Sequence, residues 1–452
     1  MKTAFVGVSH FTRLIACIFV VSCIVSCNTA EQYQQVTEIA RLTSKGARLP
    51  RLVTLPNDEV LMSWVEPVGE GTALKFVRLK NGYVISQGEV ARGANWFLNW
   101  ADFPSVAPIS KDFWLSHRLV KQEGGKAYDY DIVLALSNDA GLTWRDIGKP
   151  HHDGVAAEHG FAAIFPVNGN TANNDAGIVW LDGRDYIEKS HAEKSGNFQL
   201  RYTRIQADGS MEAEQILDTN TCTCCWPSVA VTTAGPVAAW RGRTDTEIRD
   251  NQVAVLRDEK WSSHQTLGHE NWKIDGCPVN GPALSARGMQ VAAAWFSAAG
   301  DQPKVLMAFS KDGGHTFSKT IEVDTANPLG RIGLIWQDDN TAVISWMTAD
   351  SGGKDVNLAL RTVTVDGTKG RVKRIAEIGS GRDVGVPQMA YTKQGMLLVW
   401  TKGESAHGIQ SLIVPWTDLS KQNLSQKMSG ILQTLYATKG AVFLASICRG
   451  TH

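Results

Sequence analysis

The chain has 452 residues, with 45 Lys+Arg against 45 Asp+Glu, 43% hydrophobic residues, 42 Gly and 15 Trp. The apolar fraction excludes a disordered chain, and zero net charge lacks the basic excess that nucleic-acid binding uses, so no nucleic-acid partner is expected. The length suits one large all-β domain or two ordinary ones.

Residues 1–27 read as a targeting segment. Lys2 and Arg13 supply positive charge, and Leu14 to Val25 is an apolar run too short to span a bilayer comfortably. Ile24-Val25-Ser26-Cys27 resembles a bacterial lipobox, which implies cleavage before Cys27 and lipidation of its thiol. Val20-Val21-Ser22-Cys23 is a poorer match, and a plain secretory peptide or an uncleaved anchor is the alternative. The expected location is the bacterial cell envelope, periplasm or outer membrane, with membrane contact through the lipid alone. Cleavage removes Lys2 and Arg13 and no acid, taking the balance from zero to −2, too little to steer a polyanion.

Residues 31–419 repeat. Short apolar runs ending in Trp recur at Trp64, Trp114, Trp180, Trp240, Trp295, Trp346 and Trp400, at intervals of 50, 66, 60, 55, 51 and 54 residues. Each is preceded by another short run, such as Ser228-Val229-Ala230, and followed by a third, such as Ile132-Val133-Leu134-Ala135-Leu136. A fourth run closes most units, as in Ile375-Ala376-Glu377-Ile378. Four short strands per unit predict a β-propeller of seven four-stranded blades, with a six-bladed ring as the alternative. The last unit lacks an outer run, and Gln35-Val36-Thr37-Glu38-Ile39-Ala40 is expected to complete it as an N-terminal strand, covering an open sheet edge. A monomer is expected.

Two turns share the register S-x-D-x-G-x-T-aromatic: Ser137 to Trp144, with Asp139 and Gly141, and Ser310 to Phe317, with Asp312 and Gly314. A short carboxylate can accept backbone N–H groups inside such a turn, glycine tolerates positive φ, and the ring packs back between sheets. Both resemble the Asp-box (BNR repeat) of sialidase-like propellers, over residues 33–419. The resemblance implies that Asp139 and Asp312 are structural. Arg48-Leu49-Pro50 is similar to the Arg-Ile-Pro motif of sialidases, whose arginine helps clamp the sialate carboxylate.

The segments leading into the innermost strands line one mouth of the central channel. In order they present Arg48 and Arg51; Trp100 and Asp102; Glu158 and His159; Cys222, Cys224, Cys225 and Trp226; Cys277 and Asn280; Arg331; and Arg382 with Asp383. Asp102, Glu158 and His159 are the candidate catalytic groups, and Arg48, Arg331, Arg382, Asp383, Asn280 and Trp226 the candidate substrate contacts. The resemblance implies Asp102 as acid/base and a Glu-activated Tyr as nucleophile. The sequence departs from that pattern: no Tyr precedes an innermost strand of the later blades, and Tyr128 and Tyr186 lie on other loops.

Of eight cysteines, three lie in the leader and Cys448 in the tail. Cys222, Cys224, Cys225 and Cys277 are expected to meet at the mouth, as disulfides, as a soft-metal site with His159, or as a redox-active vicinal pair. The charged loops Leu181–Asp185 and Arg241–Asp250 read as pairs tying blades together, or as carbohydrate-facing loops. Residues 420–452 form an appended helix or a tail. Two functions stand: an exo-acting glycoside hydrolase of sialidase type needing no cofactor, or a non-catalytic propeller binding a glycan, another small anion, a protein or a soft metal.

Overall fold

A computed structural model describes residues 33–167, 175–190, 193–350, 352–403 and 408–420. The leader with Cys27 and residues 421–452 lie outside the described residues.

The strands form seven antiparallel blades in sequence order, with one separate two-stranded hairpin, among the described residues. Blade 1 is Arg48–Leu55, Glu59–Val68, Gly71–Lys80 and Tyr83–Gly93. Blade 2 is Ser105–Pro108, Trp114–Lys121, Tyr130–Ser137 and Arg145–Gly148. Blade 3 is His159–Pro166, Ala176–Asp182, Phe198–Ile205 and Gln215–Thr221, with a hairpin Ile187–Ser190/Glu193–Ser195 before its third strand. Blade 4 is Ser228–Thr232, Gly235–Arg241 and Asn251–Arg257, its outer position shared by Lys260–Trp261 and Gln265–Leu267. Blade 5 is Ala283–Arg287, Gln290–Ser297, Lys304–Ser310 and Ile321–Asp324. Blade 6 is Pro328–Trp336, Thr341–Ala349, Val356–Thr364 and Lys373–Ile378. Blade 7 has three strands, Gln388–Thr392, Gly395–Thr401 and Ile409–Pro415. The innermost strands of consecutive blades touch in cyclic order, first against last included, so the ring is seven-bladed and closed.

The repeated runs become strands because each is covered on both faces by a neighbouring sheet, which accepts small and β-branched residues without alternation. Ala176–Asp182, Gly235–Arg241 and Gly395–Thr401 are buried at every position. The repeated tryptophans are the bulk between sheets, and a buried indole needs an acceptor for its N–H. Carboxylates supply it. Trp64 donates to Glu66 (2.9 Å), Trp180 to Asp182 (2.8 Å), Trp240 to Asp218 (2.7 Å), Trp295 to Glu270 (3.0 Å) and Trp346 to Asp324 (2.7 Å). Trp114 departs from the repeat. It opens the second strand of blade 2, and its indole donates to the Lys111 carbonyl (3.3 Å).

The N-terminal closing strand is a correction. Thr37–Leu42 is a short helix, not a strand, and it packs on Ile409–Pro415 of blade 7. Val36 and Ile39, three residues apart and therefore on one helical face, are the buried pair, and Arg41 reaches back to Glu38 at 2.9 Å. The seam is completed by Leu49 N–H donating to Thr401 Oγ1 (3.0 Å) and Tyr391 N–H to Thr54 Oγ1 (3.0 Å).

The two S-x-D-x-G-x-T turns are built alike, each joining the third and fourth strands of its blade. Ser137 Oγ donates to Asp139 Oδ1 (2.7 Å) and accepts from Gly141 N (2.9 Å), while Thr143 N donates to Asp139 Oδ1 (2.8 Å). Ser310, Asp312, Gly314 and Thr316 repeat this at 2.7, 2.9 and 2.9 Å. These bonds hold both carboxyls down at about 2, against an ordinary 3.8.

Candidate functional site

In an up-and-down blade, the start of the first strand, the end of the second and the start of the third share one face of the ring. That face is the channel mouth. Asp102 comes from the loop leading into blade 2, Tyr130 opens the third strand of blade 2, and Glu158 stands immediately before blade 3. A parallel bridge pairs Tyr130 with Glu158, and Tyr130 N–H donates to the Ala157 carbonyl at 3.1 Å. The Tyr130 hydroxyl therefore lies between two carboxyls, 2.6 Å from Asp102 Oδ2 and 3.1 Å from Glu158 Oε1.

Tyr130 is the partner of Glu158 that the sequence reading did not find, Tyr128 and Tyr186 having been its candidates. Its ring is fully buried and stacks on Phe97 at 4.0 Å and 10°. Asp102 is also buried, and Glu158 is half-buried. Burial pushes the Asp102 carboxyl up to about 7 against the relief of the Tyr130 hydrogen bond. It pushes Glu158 to about 8, with Asp102 adding repulsion, and Tyr130 well above 10. One hydroxyl proton cannot fully serve two carboxylates, so the cluster holds an additional proton near neutrality. Gly160 covers it: a Cβ there would lie 2.1 Å from Asp102 Oδ2 and 2.4 Å from the Tyr130 hydroxyl.

On the same face, between blades 1, 2 and 7, the mouth opens into a pocket of about 610 Å³ lined by Arg48, Asn99, Trp100, Asp383, Thr401 and Lys402, among others; Asp102, Tyr130 and Glu158 are not in its lining. Arg48 is exposed, as is Arg382 next to the pocket's Asp383. Arg331 lies behind Trp100, with its guanidinium 4.3 Å from the ring centroid. Its Nη1 donates to the carbonyls of Gly381 (3.0 Å) and Gly385 (2.8 Å). The three arginines gather at one rim, but Arg331 is held by backbone there. A second, water-sized cavity of about 20 Å³ lies in the channel, lined by Arg51, Asp102, Phe161 and Trp226 among others. Arg51, its positive charge disfavoured by burial and lowered to about 10, bonds Gln388 Oε1 at 3.2 Å.

Asn280 is buried and bonded within the fold. Its Oδ1 accepts the Arg331 N–H (2.7 Å), its Nδ2 donates to the Pro278 and Leu329 carbonyls (3.2 and 3.3 Å), and its own N–H points to Cys225 Sγ (3.4 Å). It stitches blades 4, 5 and 6, with both amide hydrogens given to backbone carbonyls. Trp226 is likewise buried, lining the same small cavity as Asp102 and Arg51.

Cys222, Cys224, Cys225 and Cys277 do meet, and all four are free thiols. Cys222 Sγ lies 3.2 Å from Cys225 Sγ and 3.9 Å from Cys224 Sγ, and Arg249 Nη1 donates to it at 3.4 Å. The exposed Cys277 is lowered to about 7, chiefly by its hydrogen bond with Cys224. His159 does not join the thiols. It is fully buried among Asp131, Asp153, Asp182 and His151, with which its ring stacks at 3.8 Å.

The Arg241–Asp250 loop ties blade 4 to blade 5, while the charges of Leu181–Asp185 pair within blade 3. Arg241 is fully buried and donates to the carbonyls of Asn280 (3.0 Å), Arg249 (2.7 Å) and Phe296 (2.8 Å). Glu247 pairs with Arg249 at 2.8 Å and with Arg243. Arg184 pairs with Asp182 at 2.7 Å and Glu214 at 2.8 Å.

No family model matches the chain, and no curated protein matches it. Solved structures do. The polysaccharide lyase Uly1 aligns at 10% identity and a TM-score of 0.47, over 81% of this chain and 90% of that one. A PL25 ulvan lyase bound to a -[GlcA(1-4)Rha3S]- saccharide aligns at 10% and 0.46, over 83% and 97%. The Trypanosoma rangeli sialidase in complex with sialic acid aligns at 12% and 0.45, over 78% of this chain and 58% of that one. At these identities the likeness is one of chain path.

Proposed function

We propose that the channel mouth is a glycan site and that the protein is an exo-acting glycoside-cleaving enzyme of sialidase-like type, anchored in the bacterial envelope through Cys27. One observation carries the reading: the Tyr130 hydroxyl is held between the Asp102 and Glu158 carboxyls on the same face of the ring as a pocket large enough for a saccharide. Glycosidic cleavage needs a group that gives and takes a proton at the glycosidic oxygen. Glu158, the half-buried member, is assigned that contact, and Tyr130 and Asp102 position it. Arg48 and Lys402 at the rim suit an anionic sugar, and Trp100 a ring face.

A binding reading without catalysis is favoured by a different observation. Asp102 and Tyr130 are sealed under Gly160, and the Arg331 Nη1 faces backbone carbonyls. One experiment separates the two. The full chain in detergent is assayed on a panel of aryl glycosides, a sialoside included, beside Glu158→Gln and Arg48→Ala. Turnover that Glu158→Gln abolishes while saccharide binding persists supports the enzyme. Saccharide binding without turnover, weakened by Arg48→Ala, supports the binder. Neither binding nor turnover on any member removes the glycan reading.

A further inference from the structure

The seam joining blades 3, 4 and 5 carries four thiols that the mouth chemistry does not use. Cys222 follows the outer strand of blade 3, a bend at Thr223 and Cys224 comes next, and Cys225 stands three residues before blade 4. Cys277 lies on the connection into blade 5. We propose that they form a thiol–disulfide relay: Cys277 takes oxidising equivalents from a low-molecular-weight disulfide, Cys224 passes them inward, and Cys222 and Cys225 hold them as a buried disulfide.

The thiols are graded from outside to inside. Cys277 is exposed, Cys224 is half-buried, and Cys222 and Cys225 are 0% and 1% exposed. Cys277 hydrogen-bonds Cys224, and Cys224 Sγ stands 3.9 Å from Cys222 Sγ, so each sulfur has the next one beside it. The inner pair is spaced Cys-x-x-Cys. The bend brings its sulfurs to 3.2 Å, about 1.2 Å beyond a disulfide bond. The frame around them is fixed: Cys222 N–H donates to the Arg241 carbonyl at 3.0 Å. The segment that delivers Cys277 and the Asn280 N–H is strained, because Val279 between them is β-branched and held at φ 46°.

Buried cysteines that only fill space behave as small hydrophobes. Here N–H donors are aimed at sulfur: Arg249 Nη1 at Cys222 Sγ and Asn280 N–H at Cys225 Sγ, each at 3.4 Å. Burial opposes a Cys222 thiolate, but hydrogen bonds from Cys224 and Cys225 and the Arg249 charge outweigh it and bring the thiol well below 9. A dithiol whose reduced form is stabilised gives up its disulfide readily, which suits exchange rather than permanent cross-linking. Cys277, at about 7, is partly ionised at neutral pH, and Thr223 Oγ1 lies 3.3 Å from its sulfur.

The steps balance. The Cys277 thiolate attacks R–S–S–R, forming Cys277–S–S–R and expelling RS⁻. Cys224 gives its proton to that thiolate and attacks Cys277 Sγ, expelling the second RS⁻. The Cys222 thiolate attacks Cys224 Sγ and frees the Cys277 thiolate. Cys225 attacks Cys222 Sγ and frees Cys224, which takes the Cys225 proton. In sum the Cys222 thiolate and the Cys225 thiol lose two electrons and become a disulfide, while R–S–S–R becomes RSH and RS⁻.

The reduced full chain is equilibrated in glutathione buffers of graded thiol-to-disulfide ratio, quenched with acid, alkylated, digested with trypsin and mapped by mass spectrometry. Cys222, Cys224 and Cys225 share the tryptic peptide that ends at Arg241, and Cys277 falls in the one that ends at Arg287. Fragment ions tell Cys224 from its neighbours. The wild type is expected to lose the Cys222 and Cys225 thiols reversibly and together, with Cys224 and Cys277 still alkylated, a readout that needs no variant to fold. Cys277→Ser is expected to slow this oxidation roughly tenfold without moving its midpoint. Cys222→Ser, checked for folding by circular dichroism, is expected to trap a Cys224–Cys277 disulfide that links the two peptides. Cys222 and Cys225 that stay reduced in glutathione disulfide alone, a bond that forms as fast without Cys277, or one that reduced glutathione cannot open overturns the proposal. A tightly bound metal that protects the thiols until a chelator removes it does so as well.

Discussion

Gly160→Ala tests whether the proton-sharing cluster is sealed as described. The backbone is not the obstacle, since Gly160 is not among the positive-φ glycines. The added methyl would stand 2.1 Å from Asp102 Oδ2, 2.4 Å from the Tyr130 hydroxyl and 2.6 Å from Tyr130 Cε2. Neither neighbour is a free end: the Tyr130 ring is stacked on Phe97, and Asp102 is bound to that hydroxyl at 2.6 Å. Overpacking costs about 1–3 kcal/mol. Losing the Asp102–Tyr130 bond inside the ring adds about 1–3 kcal/mol, so the sum centres near 4 kcal/mol. At about 2.1 cal/mol/K per residue, a ring of this size has an unfolding entropy near 0.8 kcal/mol/K, giving a drop of about 5 °C in melting temperature. Circular dichroism or scanning fluorimetry reads it. The same methyl in a Tyr130→Phe background, where the hydroxyl is gone, is expected to cost less than the two single costs combined. A Gly160→Ala protein that melts within a degree of wild type would refute the sealed arrangement.

Other outcomes follow from single contacts. His117 is buried and held neutral, its pKa lowered to about 3, first by burial and then by Arg51. The unfolded chain takes up this proton below about 6.5, so the contribution is intact above that pH and is lost as pH falls toward 3. It amounts to at most roughly 4–5 kcal/mol, and denaturant melts of His117→Gln across that window should show a shallower acid loss. Asp218→Ala leaves the fully buried Trp240 indole N–H without its 2.7 Å acceptor and is expected to destabilise by about 1–3 kcal/mol, with Asp218→Asn recovering most of it in the same melts. Cys277, exposed and lowered to about 7, should react with a disulfide reagent at pH 7 roughly tenfold faster than buried Cys225, and Cys277→Ser should remove that fast phase.

The ring was legible because its signal is repeated and physical: a Trp between sheets, small residues beside it, and a third and fourth strand after it. The N-terminal closure was not, because Val36 and Ile39 fit a helical face while the same stretch also alternates well enough to read as a strand. Asp102 and Glu158 were found by asking which residues lead into innermost strands. Tyr130 was missed by the same question, because third strands begin at that mouth too. His159 was assigned to the mouth for standing next to Glu158, yet neighbours on an extended chain point to opposite sides. The His151 cluster draws on three separate segments, and nothing in a linear reading brings Asp131, His151 and Asp153 together.

The two clusters share one piece of backbone. Asp131 follows Tyr130, His159 follows Glu158, and the parallel bridge joins Tyr130 to Glu158. Alternation along the strand sends Tyr130 and Glu158 to the mouth and Asp131 and His159 into the wall behind. The buried Asp131 and His159, 3.8 Å apart on the wall side, hold from behind the pairing that sets Tyr130 against Glu158 in front. Substitution of Asp131 is then expected to act on the mouth without touching its ligand, lowering turnover more than binding. A variant of the rim, such as Arg48→Ala, would do the reverse. A single bridge carries a proton-sharing face and a buried histidine–carboxylate face, so that loosening either must be felt by the other.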